Sequence, residues 1–300
     1  MTNKFFIKNI GLVNASGKDL IDFVNRMSTN DFKKLPANEF RKSVLTTDKG
    51  RIIDLINVLN FGEHTLILTS NDFQDKIITH LDKYIIMDDV KLEKNNTRFC
   101  QIMIYGNNLP ELAKKLFDIE TEKNKVYKIY DEVFLFTDDF KIDSLNVICT
   151  KESADKFISK FLEDNLEEMN CAEYEHLRID AGIPEGFNEF NDQINPMECG
   201  LDNYISFVKG CYIGQEVIAR LDSQGKRPKQ MVKIKSESEI VKDDKIYTDD
   251  KETGFISSAI NHYGNFQALG FIRSVNLDFL KEYSVKHNNE KFKINISKIN

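Results

Sequence analysis

Among the 300 residues, the types and spacing most suited to chemistry lie in Lys209-Gly210-Cys211-Tyr212-Ile213-Gly214-Gln215-Glu216. A thiol stands there between two glycines, just ahead of a short helix expected over residues 215–221. Backbone N–H groups at a helix start, with Lys209 nearby, favour thiolate, the form of cysteine that attacks electrophiles and binds soft metals. Cys211 is the candidate catalytic residue on this reading. Its alternative is the usual fate of a free cysteine, a small buried hydrophobe. Glu216 and Arg220, four apart on the same helix, read first as a surface ion pair. Elsewhere the familiar patterns are missing: there is no P-loop, G-x-G-x-x-G, H-E-x-x-H or G-x-S-x-G. His64, His80, His176, His262 and His287 are scattered and read as incidental. Cys100, Cys149, Cys171, Cys199 and Cys211 are odd in number and at least 12 apart, so neither a disulfide framework nor a C-x-x-C metal clamp is expected. Free thiols in a reducing, cytoplasmic compartment fit best, with no metal site.

The elements that must position Cys211 read as alternating strands and helices. Apolar positions Leu20, Ile21, Phe23, Val24 and Met27 fit one helical face. Strands are expected at 44–47, 52–61 and 65–68, with a hairpin turn at Phe61-Gly62-Glu63. Asn71 is placed as N-cap of the next helix, with Gln74 completing a capping box and Phe73, Ile77, Ile78, Leu81 and Ile85 forming its stripe. A second α+β unit follows, with strands at 99–105, 125–130 and 133–136 around a helix starting near Pro110. A strand at 147–149 leads to a helix striped by Ala154, Phe157, Ile158, Phe161 and Leu162, and the acidic run from Glu163 to Glu168 reads as a solvated face and turn. A helix over 172–181 stops at Gly182, and 183–196 is irregular. Strand-like runs at 232–234, 253–260, 267–272 and 292–296 suggest a small antiparallel barrel or sandwich. The linker-like stretch around Gly225 divides the chain into 1–225 and 226–300.

Composition narrows the class. With 41% hydrophobic, 11% aromatic and 30% charged residues the chain must fold, and a net charge of −7 without a basic block argues against nucleic acid as a partner. No apolar run approaches the length of a signal-peptide core or a spanning helix, so no membrane association is expected.

The octapeptide K-G-C-Y-x-G-Q-E resembles the signature of the YgfZ family, folate-binding relatives of the glycine-cleavage T-protein (GcvT) aminomethyltransferase. Four further stretches resemble segments of that family in the same order: Phe23 to Asp31, Leu45 to Asp54, Leu177-Arg178-Ile179-Asp180-Ala181-Gly182-Ile183-Pro184, and Asn195-Pro196-Met197-Glu198. The resemblance implies an α+β fold, with GcvT-like subdomains around a central folate cavity and a C-terminal antiparallel β-barrel. It implies tetrahydrofolate or a one-carbon derivative as cofactor, held by Asp54, Asp180, Lys209, Tyr212 and Arg220. Asp180 is the acid available to the pterin, one methylene shorter than the glutamate common in the transferases. Asp54 survives from an acidic pair whose second member is here Leu55, which weakens the case for aminomethyl transfer, and its alternative is a turn-bonded carboxylate. The function implied is assembly or repair of iron–sulfur clusters in client enzymes, with iron–sulfur client or assembly proteins as partners and Cys211 as reactive group. The alternative is a folate-dependent one-carbon transferase; a third reading is an interaction module that has lost its ligand. Lys226, Arg227, Lys229, Lys233 and Lys235, facing only Asp222, form a candidate patch for the folate glutamate tail, or a solvated linker and strand face.

Overall fold

The computed structural model describes residues 2–95, 99–225, 227–287 and 290–299. The chain runs β1 (Lys4–Asn9), β2 (Gly11–Ser16), α1 (Leu20–Met27), β3 (Glu39–Thr46), β4 (Ile52–Asn60), β5 (Thr65–Thr69), α2 (Gln74–Asp82), β6 (Lys91–Lys94) and β7 (Phe99–Tyr105). Next come α3 (Leu109–Phe117), β8 (Val126–Tyr130), β9 (Val133–Asp138), β10 (Ser144–Thr150), α4 (Lys151–Glu163), β11 (Glu167–Glu168), α5 (Cys171–Ala181), α6 (Gly186–Glu189) and α7 (Gln215–Ser223). The last strands are β12 (Lys229–Ser236), β13 (Lys245–Thr248), β14 (Lys251–His262), β15 (Asn265–Arg273), β16 (Tyr283–His287) and β17 (Glu290–Ser297). Contacts group them into two units, Met1–Leu45 with Asp54–Asn170 and Tyr204–Ile213, and Thr46–Ile53 with Cys171–Asn203 and Gly214–Asn300.

The first unit contains a six-stranded sheet, ordered β11-β1-β7-β10-β9-β8, and a five-stranded sheet, β3-β4-β5-β2-β6. Strand β10 is buried along its whole length because both its faces are covered. Leu145, Val147 and Cys149 share one core with Phe5, Leu112, Ala154 and Phe161 from the helix-covered side. Ile148, on the opposite face by the two-residue period of a strand, packs with Leu12, Leu59, Leu66 and Leu68 of the second sheet. Helix α4 starts where Thr150 accepts a hydrogen bond from the Ser153 N–H at 3.2 Å. The Glu167–Glu168 pair, expected as a solvated turn, is a short exposed strand parallel to β1.

The expected capping box at Asn71 does not form. Asp72 takes a left-handed conformation (φ 63°), so the chain cannot be helical there, and α2 begins after Phe73. Of the expected stripe, Phe73, Ile77 and Leu81 are buried and Ile78 is half-buried, while Ile85 lies beyond the end of α2.

In the second unit, β12-β15-β14-β13-β16-β17 close into a barrel around Val232, Ile234, Ile246, Ile256, Ile272, Val285 and Ile294. Strands β13 and β16 were not foreseen. They are short, and exposed lysines flank their few inward residues, yet they pair with each other and close the sheet. Closure removes the free edges that a sandwich would leave. Among the described residues no helix is long and apolar enough to cross a membrane.

Candidate functional site

Within the first unit, the segment carrying Cys211 is tied to the end of α1. Lys209 Nζ donates to three backbone carbonyls, those of Asn25 and Ser28 (2.8 Å), at the terminus of α1 where carbonyls lack intrahelical partners, and that of Asn30 in the turn beyond. Ile213 N–H adds a bond to Arg26 O at 3.2 Å, and Ser206 N–H one to Thr29 O at 2.9 Å. The Lys209 ammonium also lies 5.2 Å from the centroid of the buried Tyr212 ring. Burial pulls Lys209 down to about 8, with Asp31 opposing the drop. Two stretches 180 residues apart in sequence thus meet through one cation. Lys209, expected to act on the thiol, is instead committed to these carbonyls, and Tyr212 to the wall beside it.

Cys211 itself is exposed, as is Gly210, and a methyl group added at Gly210 would meet nothing within 4 Å. The small buried hydrophobe is therefore not what the structure contains. Phe207 and Val208, just upstream, are exposed as well. The helix expected after the motif is present as α7, beginning at Gln215, four residues beyond the thiol.

Asp54 is 0% exposed and faces Ser70, taking the backbone N–H at 2.7 Å and the hydroxyl at 2.6 Å. Burial raises its pKa to about 6, and the Ser70 bonds limit the rise. This is the turn-bonded arrangement, and both carboxylate oxygens are engaged.

The second unit collects the remaining stretches. Gly214 sits at φ 82°, and a Cβ there would lie 2.6 Å from Thr47 O and 3.1 Å from Gly50 Cα; Gly50 is itself at φ 66° against Val217. The Thr47–Arg51 turn can approach α7 only because both positions are glycine. Arg51 Nη1 donates to Gln193 O (3.0 Å) and Ile52 N–H to Ile194 O (2.9 Å), joining this turn to the Asn195–Glu198 stretch. There Asn195 and Glu198 form a reciprocal capping box, and Glu198 also accepts the Lys229 N–H at 3.0 Å.

Asp180 lies on α5, is exposed, and its carboxylate accepts no hydrogen bond among the described residues; only its backbone oxygen is used, by Lys233 Nζ at 2.8 Å. Two residues earlier Arg178 is 0% exposed and forms a hub. It donates to Glu175 (Nε, 2.9 Å), Ile183 O (2.8 Å), Glu189 (3.1 Å) and Ser258 (2.8 Å). Glu189 in turn accepts from Ser257 and Ser258 of β14 at 2.7 and 2.6 Å. The irregular stretch after Gly182 is thereby fastened to the barrel, and α5 is held in place beneath Asp180. Sequence reading missed this hub, although Arg178 stands inside the Leu177–Pro184 stretch. It also missed the stacking of His176, on α5, against His262 at 3.8 Å between ring centroids. No local spacing relates those two.

Arg220 is exposed in the last turn of α7. The basic patch is largely occupied: Arg227 pairs with Asp202 at 2.7 Å, Lys229 Nζ reaches Gln193 O at 2.9 Å, and Lys233 holds Asp180 O. Lys226 lies outside the described residues. The expectation of cations facing only Asp222 is corrected, because acids and carbonyls distant in sequence fold back onto them.

Comparison with known proteins defines the class. Residues 5–136 match the family described as the GCVT N-terminal domain. The crystal structure of glycine cleavage system aminomethyltransferase T from Bartonella henselae superposes with a TM-score of 0.85 at 14% identity, covering 99% of this chain and 86% of that one. The chain therefore has a GcvT-like fold. An aminomethyltransferase of Caldanaerobacter subterraneus is 24% identical over 238 residues, 75% of this chain and 64% of that protein. One of Desulfitobacterium hafniense is 24% identical over 268 residues, covering 85% and 73% respectively. The match thus spans less than two thirds of the length of the first of these relatives.

Proposed function

We propose that the protein binds tetrahydrofolate or a one-carbon derivative and works in folate-dependent one-carbon transfer. The observation that carries the reading is the Asp180 carboxylate: exposed, accepting no hydrogen bond among the described residues, close enough to His176 on the same helix to act on its charge, and held on a helix fixed by the Arg178–Glu189 hub. That is the state in which a carboxylate can accept hydrogen bonds from the N–H groups of a pterin. A bound folate would supply the nitrogen on which one-carbon units are carried. Asp180 would orient the pterin through its ring N–H groups, and Lys209 and Tyr212 would hold the Cys211 segment in place. Asp54 is buried and serves the Ser70 turn, so in this arrangement it is closed to a ligand. The aminomethyltransferase names of the relatives support the transferase reading over an iron–sulfur one.

The second reading is an accessory protein of iron–sulfur assembly of the YgfZ type. It is favoured by one observation, the exposure of Cys211 on a segment anchored by Lys209. Titration calorimetry with tetrahydrofolate and its methylene form tests the common part. A hydrogen bond to a charged acceptor contributes about 1.5 to 3 kcal/mol, so Asp180→Ala should weaken binding roughly 10- to 150-fold. Unchanged affinity in a folded variant sinks the assignment. One-carbon transfer that survives Cys211→Ser supports the first reading; loss of iron–sulfur enzyme activity in cells carrying that variant supports the second.

A further inference from the structure

Two of the thiols that sequence spacing left isolated are cross-strand neighbours. Cys100 on β7 and Cys149 on β10 stand directly opposite each other in the antiparallel register, on the central pair of strands of the six-stranded sheet. Opposed residues in such a pair have Cβ atoms about 4.5–5.5 Å apart, close to the roughly 3.5–4.5 Å that a disulfide requires. The side chains face the same core, and Cys100 Sγ donates to Cys149 O at 3.7 Å. We propose that Cys100 and Cys149 form a latent cross-strand disulfide, a reversible two-electron redox site inside the first unit.

The surroundings assign different roles to the two sulfurs. The neighbouring Cys149 side chain and Lys151 at the start of α4 lower the Cys100 pKa, while burial and Asp155 oppose this. Cys149 is pushed up by its Cys100 neighbour and by burial. In the proposed step Cys100 is the attacking sulfur, losing its proton as it attacks, and Cys149 the resolving thiol. With a peroxide as oxidant, Cys100 sulfur attacks one oxygen, the O–O bond breaks, and the departing hydroxide takes up the Cys100 proton as water. Cys149 sulfur then attacks the sulfenic acid; the S–S bond forms, the S–O bond breaks, and a second water leaves with the Cys149 proton. Two electrons pass from the sulfurs to the peroxide. Exposures of 1% and 0% make access the slow step, limited to small oxidants or to transient opening of the sheet.

The test uses the full chain. Exposed Cys171 and Cys211 are first capped with iodoacetamide under native conditions. The protein is then oxidised with hydrogen peroxide at a urea concentration just below its unfolding midpoint, denatured, alkylated with a second reagent and mapped by mass spectrometry. The expected product links the Cys100 and Cys149 peptides, about 2 Da lighter than their reduced sum, leaves Cys199 alkylated, and reverts with dithiothreitol. On return to native buffer it has a higher Tm than the reduced protein, and Cys149→Ala shows neither the link nor the rise. Recovery of Cys100 and Cys149 as alkylated thiols or as separate higher oxides, or a link from either to Cys199, overturns the proposal.

Discussion

Replacing Asp54 by asparagine separates the turn-bonded role of this residue from any other. The carboxyl is fully buried, and burial holds it at about 6 against the downward pull of the Ser70 bonds, whereas an ordinary aspartate titrates at 3.8. Between those values the native protein binds more protons than the unfolded chain, so stability falls as pH rises through the window and stays lower above it. The gap corresponds to about 3 kcal/mol. The amide keeps the volume, its oxygen can accept the Ser70 N–H, and its NH2 can donate to the Ser70 hydroxyl, but it carries no charge to desolvate. Asp54→Asn should therefore match the wild type in stability below about pH 4 and exceed it by up to about 3 kcal/mol at pH 7. Urea unfolding followed by far-ultraviolet circular dichroism, in closely spaced pH steps, gives the difference curve directly. Subtraction cancels the other groups that titrate nearby, including Glu198, which burial raises, and His176, which burial lowers. A flat difference between pH 4 and 7, or an amide variant less stable than the wild type at pH 7, would refute the reasoning.

Arg178→Met leaves Glu189 buried without its cation and should cost about 3–5 kcal/mol, read as a lower urea midpoint; a loss below about 1 kcal/mol would mean that the two serines suffice. Gly214→Ala should lower Tm clearly, since the left-handed backbone alone costs about 1–2 kcal/mol and the new methyl would strike Thr47 O. Gly210→Ala, four residues upstream in open space, should leave Tm unchanged; calorimetric scans giving both variants the same Tm would show that the Gly214 contact does not matter.

Much of the architecture was legible because its signals are local. The stripes of α1, α2 and α4 and the apolar Val147–Cys149 run of β10 are signals carried by neighbouring residues. The start of α2 was misplaced because a single left-handed residue, Asp72, overrode a good capping pattern. Strands β13 and β16 escaped because each is too short to show a period, and they exist by virtue of the barrel they close.

For the candidate site the division is sharper. The five stretches that resemble family segments and the candidates Cys211, Asp180 and Asp54 are properties of the sequence alone. What each side chain does depends on groups remote along the chain. Lys209 meets carbonyls about 180 positions away, Arg178 reaches Ser258 on the barrel, Asp54 meets a serine across a strand turn, and Cys100 finds Cys149 across a ladder. A charge or a thiol takes its behaviour from the desolvation and partners around it, and those are set by long-range packing. Only the tertiary structure therefore decided that Asp54 is closed, Asp180 open, Lys209 an anchor and Cys211 exposed.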